Sequence, residues 1–243
     1  MNEIITIASG TWKNVLRMKV VYFLIFCALV LVASAINYDI LSMGLHKELM
    51  IDVALVLNSI AALLVVISLT FEIPKELREG VASTLLAKPL GRFQYLLGKM
   101  IGCIVTGAVI CFLIAVGSFI VFNISFAQRI DLAMLQSHLL VILALIPMSA
   151  LGVLFAILLP EVIAPIITVV VIWFAFSTKI LQNVWGLYGG ILPDLDLFNF
   201  KANAVYQINI PWMYILLVAV WGICYAAFAL SLASIIFERK DIK

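Results

Sequence analysis

The sequence has 243 residues, of which 65% are apolar and 12% are charged, and its mean hydropathy is +1.23. Soluble domains are about half apolar and about a quarter charged, so most of this surface is not suited to water. The net charge is only +2, and the basic residues form no stripe, which argues against a nucleic-acid-binding protein. The composition therefore predicts an integral membrane protein.

The first 17 residues carry apolar side chains at helical spacing, with charged residues between them. This pattern predicts an amphipathic helix at residues 1–17 that lies in the membrane interface. A frayed leader of the first membrane span is the alternative.

Six stretches that follow are free of charge and near the length of a membrane span. A helix needs about 20 mainly apolar residues to cross about 30 Å of hydrocarbon. The chain is therefore predicted to be all-α with six transmembrane helices, at Val20–Ile36, Val53–Phe71, Met100–Phe122, Leu139–Leu159, Val162–Thr178 and Trp212–Phe237. Pro160 and Glu161 are interpreted as a tight turn between the fourth and fifth spans. One long broken segment is the alternative, and it would leave five spans.

The basic residues predict the orientation, because they favour the cytoplasmic side of a membrane. With the N-terminus in the cytoplasm, eleven basic residues lie inside and four lie outside. Both termini are then cytoplasmic, which requires an even number of spans. The long outer connection at residues 179–211 is rich in aromatic residues and is expected to fold back on the membrane.

The inner loop between the second and third spans, residues 72–99, holds the densest group of charges. Its spacing predicts one amphipathic helix from Pro74 to Ala87, followed by a turn that leads into the third span. The polar face of such a helix should meet water or a soluble partner. A solvated loop is the alternative.

This loop also carries a sequence pattern made of the following residues: Glu72, Glu76, Val81, Thr84, Leu85, Leu86, Ala87, Pro89, Arg92, Tyr95, Gly98 and Lys99. The pattern resembles that of the type-2 ABC exporter permeases, the membrane-spanning subunits of ATP-binding cassette transporters. The order of features along the whole chain is similar too, including the outer segment Pro193–Asn199. The chain departs from the family at Val81, where many members have a threonine hydroxyl.

The resemblance implies a coupling helix that contacts a separate cytoplasmic ATPase. The residues implied at that contact are Glu72, Glu76, Glu79, Gly80, Thr84, Leu85, Pro89 and Arg92, with Glu161 of the next inner turn as a secondary contact. It further implies a homodimer or a pair with a similar permease, two ATPase subunits that carry ATP and Mg²⁺, and the plasma (inner) membrane of a bacterium or archaeon.

The chain is not predicted to be an enzyme by itself or to bind a cofactor. Gly98 and Lys99 do not belong to a phosphate-binding loop, because Phe93 stands where that motif needs glycine and Met100 where it needs serine or threonine. The two histidines are far apart, each at or near a loop, and the four cysteines lie in apolar stretches, so no metal site is predicted.

In the resembled family the second and fifth spans face the dimer axis, which places a translocation route there. The candidate route residues are Asn58, Ser59, Thr168, Trp173, Phe176 and Ser177. Helix packing and lipid contact are the alternative roles for these side chains. No charge lies within the six stretches, which makes an ion-driven carrier less favoured. A membrane scaffold or anchor without transport activity is the third class.

Overall fold

The computed structural model describes residues 2–17, 19–35, 45–80, 91–126, 131–178 and 193–239. These residues are mainly helical and contain no strand, so the all-α prediction is confirmed for them. A short 3₁₀ helix at Leu195–Phe198 lies between the sixth and seventh α-helices. The helices are α1 Asn2–Arg17, α2 Lys19–Ser34, α3 His46–Arg78, α4 Arg92–Phe126, α5 Leu132–Leu158, α6 Ile163–Ala175, α7 Lys201–Val205 and α8 Trp212–Glu238.

Four of these helices, α3, α4, α5 and α8, are long and apolar enough to cross a membrane. They correspond to the second, third, fourth and sixth predicted stretches. The helices α2 and α6 are apolar but shorter, with 16 and 13 residues. At 1.5 Å per residue they are about 24 and about 20 Å long, less than the hydrocarbon thickness of about 30 Å.

Helix α5 lies at the centre of the bundle. In its most apolar 18-residue window 72% of the residues are buried, against 33% in α8. It contacts α3, α4, α6 and α8 directly, and the 3₁₀ helix and α7 also pack on it. Helices α3, α4, α6 and α8 therefore surround α5, whereas α1 and α2 pack on α4 and α3. Much of the apolar surface of the outer helices is turned outward, as expected for a protein in lipid.

The bundle has two ends, which we call the Gly80 end and the His46 end. Arg78 pairs with Glu161 at the Gly80 end, where α5 has just finished. At the His46 end Lys47 pairs with Asp131 at 3.2 Å. Both the beginning and the end of the described chain lie at the Gly80 end, because α1 contacts the last turns of α3 and the first turns of α4 contact the end of α8.

Helix α1 packs closely on α4 through two glycines spaced four residues apart, Gly98 and Gly102. A Cβ atom built on Gly102 would lie 2.8 Å from the Cβ of Thr11 and 2.9 Å from the carbonyl oxygen of Ala8. Small residues at this spacing allow the backbones of two membrane helices to approach. The predicted helix at the N-terminus is therefore present, and its buried face is covered by α4.

Helix α3 does not stop where the second predicted span stops. It continues through Pro74 to Arg78, and the N–H of Glu79 donates to the carbonyl of Lys75 at 2.9 Å. Gly80 then has a φ of 72°, the left-handed conformation that glycine adopts at helix ends. The prediction of one helix from Pro74 to Ala87 is therefore wrong, because the helix ends before Gly80 and its first part belongs to α3.

Candidate functional site

An ion cluster joins the ends of α3 and α4. Glu72 and Glu76 lie one turn apart on α3, so both carboxylates face the same side of the helix. Lys99 of α4 donates to Oε1 of Glu72 at 2.8 Å and to Oε1 of Glu76 at 2.5 Å. Its side chain is 4% exposed, and those of Glu72 and Glu76 are 17% and 16% exposed. Sequence reasoning assigned Lys99 to an inner loop, whereas the structure buries it between two helices.

Two further side chains complete this Lys99 cluster. The hydroxyl of Tyr95 donates to Oε2 of Glu76 at 2.7 Å, and Nδ2 of Asn14 donates to Oε1 of Glu72 at 3.1 Å. A buried ammonium group is stable only when carboxylates and hydrogen bonds compensate for lost water. The cluster supplies both, and it ties α1, α3 and α4 together at the Gly80 end.

The tip of α3 lies beyond the Lys99 cluster. Glu79 is exposed, whereas Arg78 forms an ion pair with Glu161 in the turn between α5 and α6. The residues predicted to contact an ATPase therefore have different surroundings. Glu72 and Glu76 form hydrogen bonds within the chain. Glu79 and Gly80 lie at the tip of α3, and Glu161 contacts that tip through its ion pair with Arg78.

Arg92 is another predicted contact residue, and it binds the end of α8. Its guanidinium donates to the carbonyl oxygens of Phe237 and Glu238, the second at 3.0 Å, and lies 5.4 Å from the centre of the Phe237 ring. A cation at a helix C-terminus is favourable because unpaired carbonyls concentrate there. Arg92 thus attaches α8 to the start of α4. The remaining predicted contacts, Thr84, Leu85 and Pro89, lie outside the described residues.

The candidate route residues do not form one continuous surface in the described chain. Ser59 and Phe176 line a small cavity of about 20 Å³, which is the size of a water site. Thr168 is buried and donates to the carbonyl of Ala164 at 2.7 Å. Trp173 is 65% exposed on the outside of α6, and its carbonyl accepts a hydrogen bond from the Ser177 hydroxyl.

The sixth candidate, Asn58, is fully buried and reveals a site that sequence reasoning missed. Its Nδ2 lies 2.8 Å from Nδ1 of His138, and Nε2 of His138 lies 3.4 Å from the hydroxyl of Ser118. The Phe119 ring packs edge-on against the imidazole, with 5.3 Å between ring centres. His138 was expected at a loop edge, but it is 2% exposed within α5. The three polar side chains link α3, α4 and α5.

The outer segment is held against the His46 end by polar contacts. Gln136 of α5 exchanges two hydrogen bonds of 2.8 Å with the backbone of Ile210. Asp194 accepts a hydrogen bond of 2.6 Å from Thr178, just beyond α6. Burial lowers the pKa of Lys201, and nearby Asp52 opposes that shift. Residues 193–211 therefore pack on the bundle, chiefly on α5 and α3.

Within the described ranges, no three His, Cys, Asp or Glu side chains form a group that could hold a metal ion. No protein-family model and no curated protein matches the chain. Its resemblance to exporter permeases depends on the loop pattern and on the order of features.

Proposed function

We propose that the chain is the membrane-spanning permease subunit of an ATP-binding cassette exporter. Two copies, or one copy and a similar permease, would pair in the plasma membrane and bind two cytoplasmic ATPase subunits that carry ATP and Mg²⁺. One observation carries the proposal: α3 is a single helix from His46 to Arg78, and its last turns are bound to α4 through Lys99.

The length of α3 makes it suitable as a lever. Its 33 residues extend about 50 Å, roughly 20 Å more than the hydrocarbon core. The charged part from Glu72 to Arg78 supplies about 10 Å of this excess, and the first turns, from His46 to Asp52, supply a similar length at the other end. A force on the tip at Glu79 and Gly80 would move α3 and α4 together, because the Lys99 cluster joins them. Such a force can drive transport only if the tip prefers different positions in the two states of the ATPase.

The connectivity of the chain supports six spans. The chain passes from Asn14 at the Gly80 end to Lys47 at the His46 end, and α2 is the helix between them. It passes again from Glu161 at the Gly80 end to Ile210 at the His46 end, with α6 between them. We therefore propose α2 and α6 as the first and fifth spans. Local thinning of the bilayer and snorkelling of flanking side chains accommodate short spans.

The surroundings of the predicted contact residues lead us to propose a different role for each group of them. Glu79 and Gly80 at the tip are the central candidates, together with Thr84, Leu85 and Pro89 from the sequence pattern. Glu72, Glu76 and Arg92 support the tip from within. Glu161 fixes the tip through Arg78 and adds a second carboxylate near the same surface.

The test is co-purification of ATP hydrolysis with the tagged chain from its native host. Glu79→Arg reverses one exposed charge at the tip and should reduce the co-purified activity by about tenfold. Glu238→Arg is the matched control, because it reverses an exposed carboxylate at the same end on α8. Equal loss in both variants, or no loss in Glu79→Arg, would contradict the proposed contact.

An ion-driven carrier is the second candidate, and the buried His138 is the observation that favours it. A titratable group inside a helical bundle is a common part of a proton pathway. His138 has neutral partners, Asn58 and Ser118, and no charged side chain bonds to it in the described chain. Transport by the reconstituted chain under an ion gradient, with no ATPase present, would favour the carrier over the exporter.

A further inference from the structure

An open groove lies at the Gly80 end between α1, α3 and the turn that holds Glu161. Its volume is about 810 Å³, which is within the size range of small-molecule sites. The Lys99 cluster forms one wall of the groove through Glu72, Glu76 and Asn14. The groove is therefore attached to the tip of α3 rather than to the bundle centre.

The floor of the groove is apolar. Leu64, Ile67 and Phe71 follow one another at helical spacing along α3, and Val15 faces them from α1. Leu64 is 41% exposed and Phe71 is 45% exposed, so the described chain leaves this surface open. The first charged residue of α3 after this surface is Glu72. The groove thus passes from an apolar part to a charged part within one helical turn.

The charged part is acidic. Four carboxylates line it, those of Glu72, Glu76, Glu79 and Glu161, and Lys75 is the cation that lines it with them. Behind the lining, Lys99 is shared by two of the carboxylates and Arg78 pairs with a third. Among the side chains that the structure describes around the groove, one carboxylate remains in excess of the cations. A bound cation would therefore complete the charge of the site.

We propose that this groove binds a lipophilic monocation. Its apolar body would lie on Leu64 and Phe71, and its charge would lie near the carboxylates of Glu72 and Glu79. An aromatic ring such as that of Phe71 also attracts an organic cation through its face. If the proposed exporter function holds, the groove is where such a cargo meets the permease from the inner leaflet. That role depends on the proposed function, whereas the binding does not.

The test uses the full chain, purified in a neutral detergent without any ATPase. The probe is tetraphenylphosphonium, and its binding is measured by scintillation proximity. Tetraphenylborate is the matched control, because it has nearly the same size and shape and the opposite charge. We expect saturable binding of the cation and no saturable binding of the anion. Equal binding of both ions would overturn the proposal, since an apolar surface alone would then account for it.

Three variants assign the binding to the groove. Glu79→Gln should weaken binding by about fivefold and Lys75→Gln should strengthen it by about fivefold, because each changes one nearby charge in a partly aqueous site. Ser68 of α3 also lines the groove, so Ser68→Trp places a large ring there and should abolish saturable binding. Glu238→Gln, outside the groove, should leave binding unchanged.

Glu79→Gln and Lys75→Gln should shift the affinity for the cation in opposite directions, which a general effect on folding does not produce. Shifts in the same direction, or unchanged affinity in both, would overturn the proposal. Co-purification of the ATPase is measured separately. A chain that retains the ATPase but binds no cation refutes the groove alone, and a chain that binds the cation but retains no ATPase refutes the exporter alone.

Discussion

At the scale of single residues, Lys99 determines how the Gly80 end is built. The cost of removing an ammonium group from water is large, and two carboxylates with short hydrogen bonds compensate for it. The same contacts neutralise half of the combined charge of Glu72 and Glu76. Each member of the cluster is therefore stable only because the others are present, and the cost of losing one depends on what remains.

Replacing Lys99 by methionine should destabilise the chain strongly. Lys99→Met leaves two adjacent, partly buried carboxylates without a cation, and we expect a loss of about 3 kcal/mol in the free energy of unfolding. The measurement is unfolding in mixed micelles followed by circular dichroism. A triple variant with Glu72→Gln and Glu76→Gln should recover most of the loss, because the repulsion is then absent. Lys13→Met, an exposed lysine on α1, is the control. If Lys99→Met resembles that control, the cluster has no structural role.

At the scale of helices, close contact between α1 and α4 depends on the absence of side chains at Gly98 and Gly102. A Cβ atom on Gly98 would lie 3.0 Å from the Cβ of Ile7. Two successive turns of α4 therefore accept the backbone of α1 directly. This contact brings Asn14 next to Glu72, so it also positions one member of the Lys99 cluster.

A matched pair of glycine substitutions tests this helix contact. Alanine favours a helix over glycine by about 1 kcal/mol. Gly10→Ala on α1 meets nothing within 4 Å and should gain about that much stability. Gly102→Ala meets Thr11 and the backbone of Ala8, and overpacking should convert the gain into a loss of about 1 to 3 kcal/mol. The same unfolding measurement applies to both variants. Stabilisation by both would show that α1 does not pack on α4 as described.

The sequence predicted the long apolar helices well because each corresponds to a stretch without charges. It did not predict that α3 passes through Pro74. Proline removes one backbone hydrogen bond there and its ring crowds the carbonyl one turn earlier, and the contacts of Glu72 and Glu76 on either side of it offset that cost. Periodicity alone cannot reveal such contacts, since Lys99 is distant along the chain.

The candidate site, too, depends on contacts between residues that are distant along the chain, which the sequence pattern does not reveal. The pattern that singled out Glu72, Glu76 and Lys99 grouped residues that do contact one another, although it assigned the two carboxylates to a partner's surface. A helix face rich in carboxylates binds equally well to a lysine of the same chain or to another protein. His138 was missed for a related reason, because Asn58 and Ser118 become its neighbours only when α3, α4 and α5 pack together.

At the scale of the whole molecule, the polar contacts separate the two ends of the bundle. The Gly80 end carries the Lys99 cluster, the pair of Arg78 with Glu161 and the bond of Arg92 to α8. The His46 end carries the pair of Lys47 with Asp131 and the clamp of Gln136 on Ile210. Between these two groups of polar contacts, the helices pack mainly through apolar side chains, as the hydrocarbon core requires. The charged layers therefore indicate where the membrane boundaries lie.

The arrangement of the ends predicts which positions share a side of the membrane. In a chain whose four cysteines have been replaced, single cysteines are introduced by Lys13→Cys, Leu45→Cys, Pro160→Cys and Tyr206→Cys, all at exposed residues. If the Gly80 end is cytoplasmic, as the basic residues predict, a membrane-impermeant maleimide should react with positions 13 and 160 only in inside-out vesicles and with positions 45 and 206 only in intact cells. Positions 13 and 45 flank α2, and positions 160 and 206 flank α6. Reaction of positions 160 and 206 from the same side would show that α6 does not cross the membrane. That result would also remove one of the six proposed spans, and a chain with an odd number of spans could not place α1 and the end of α8 on the same side.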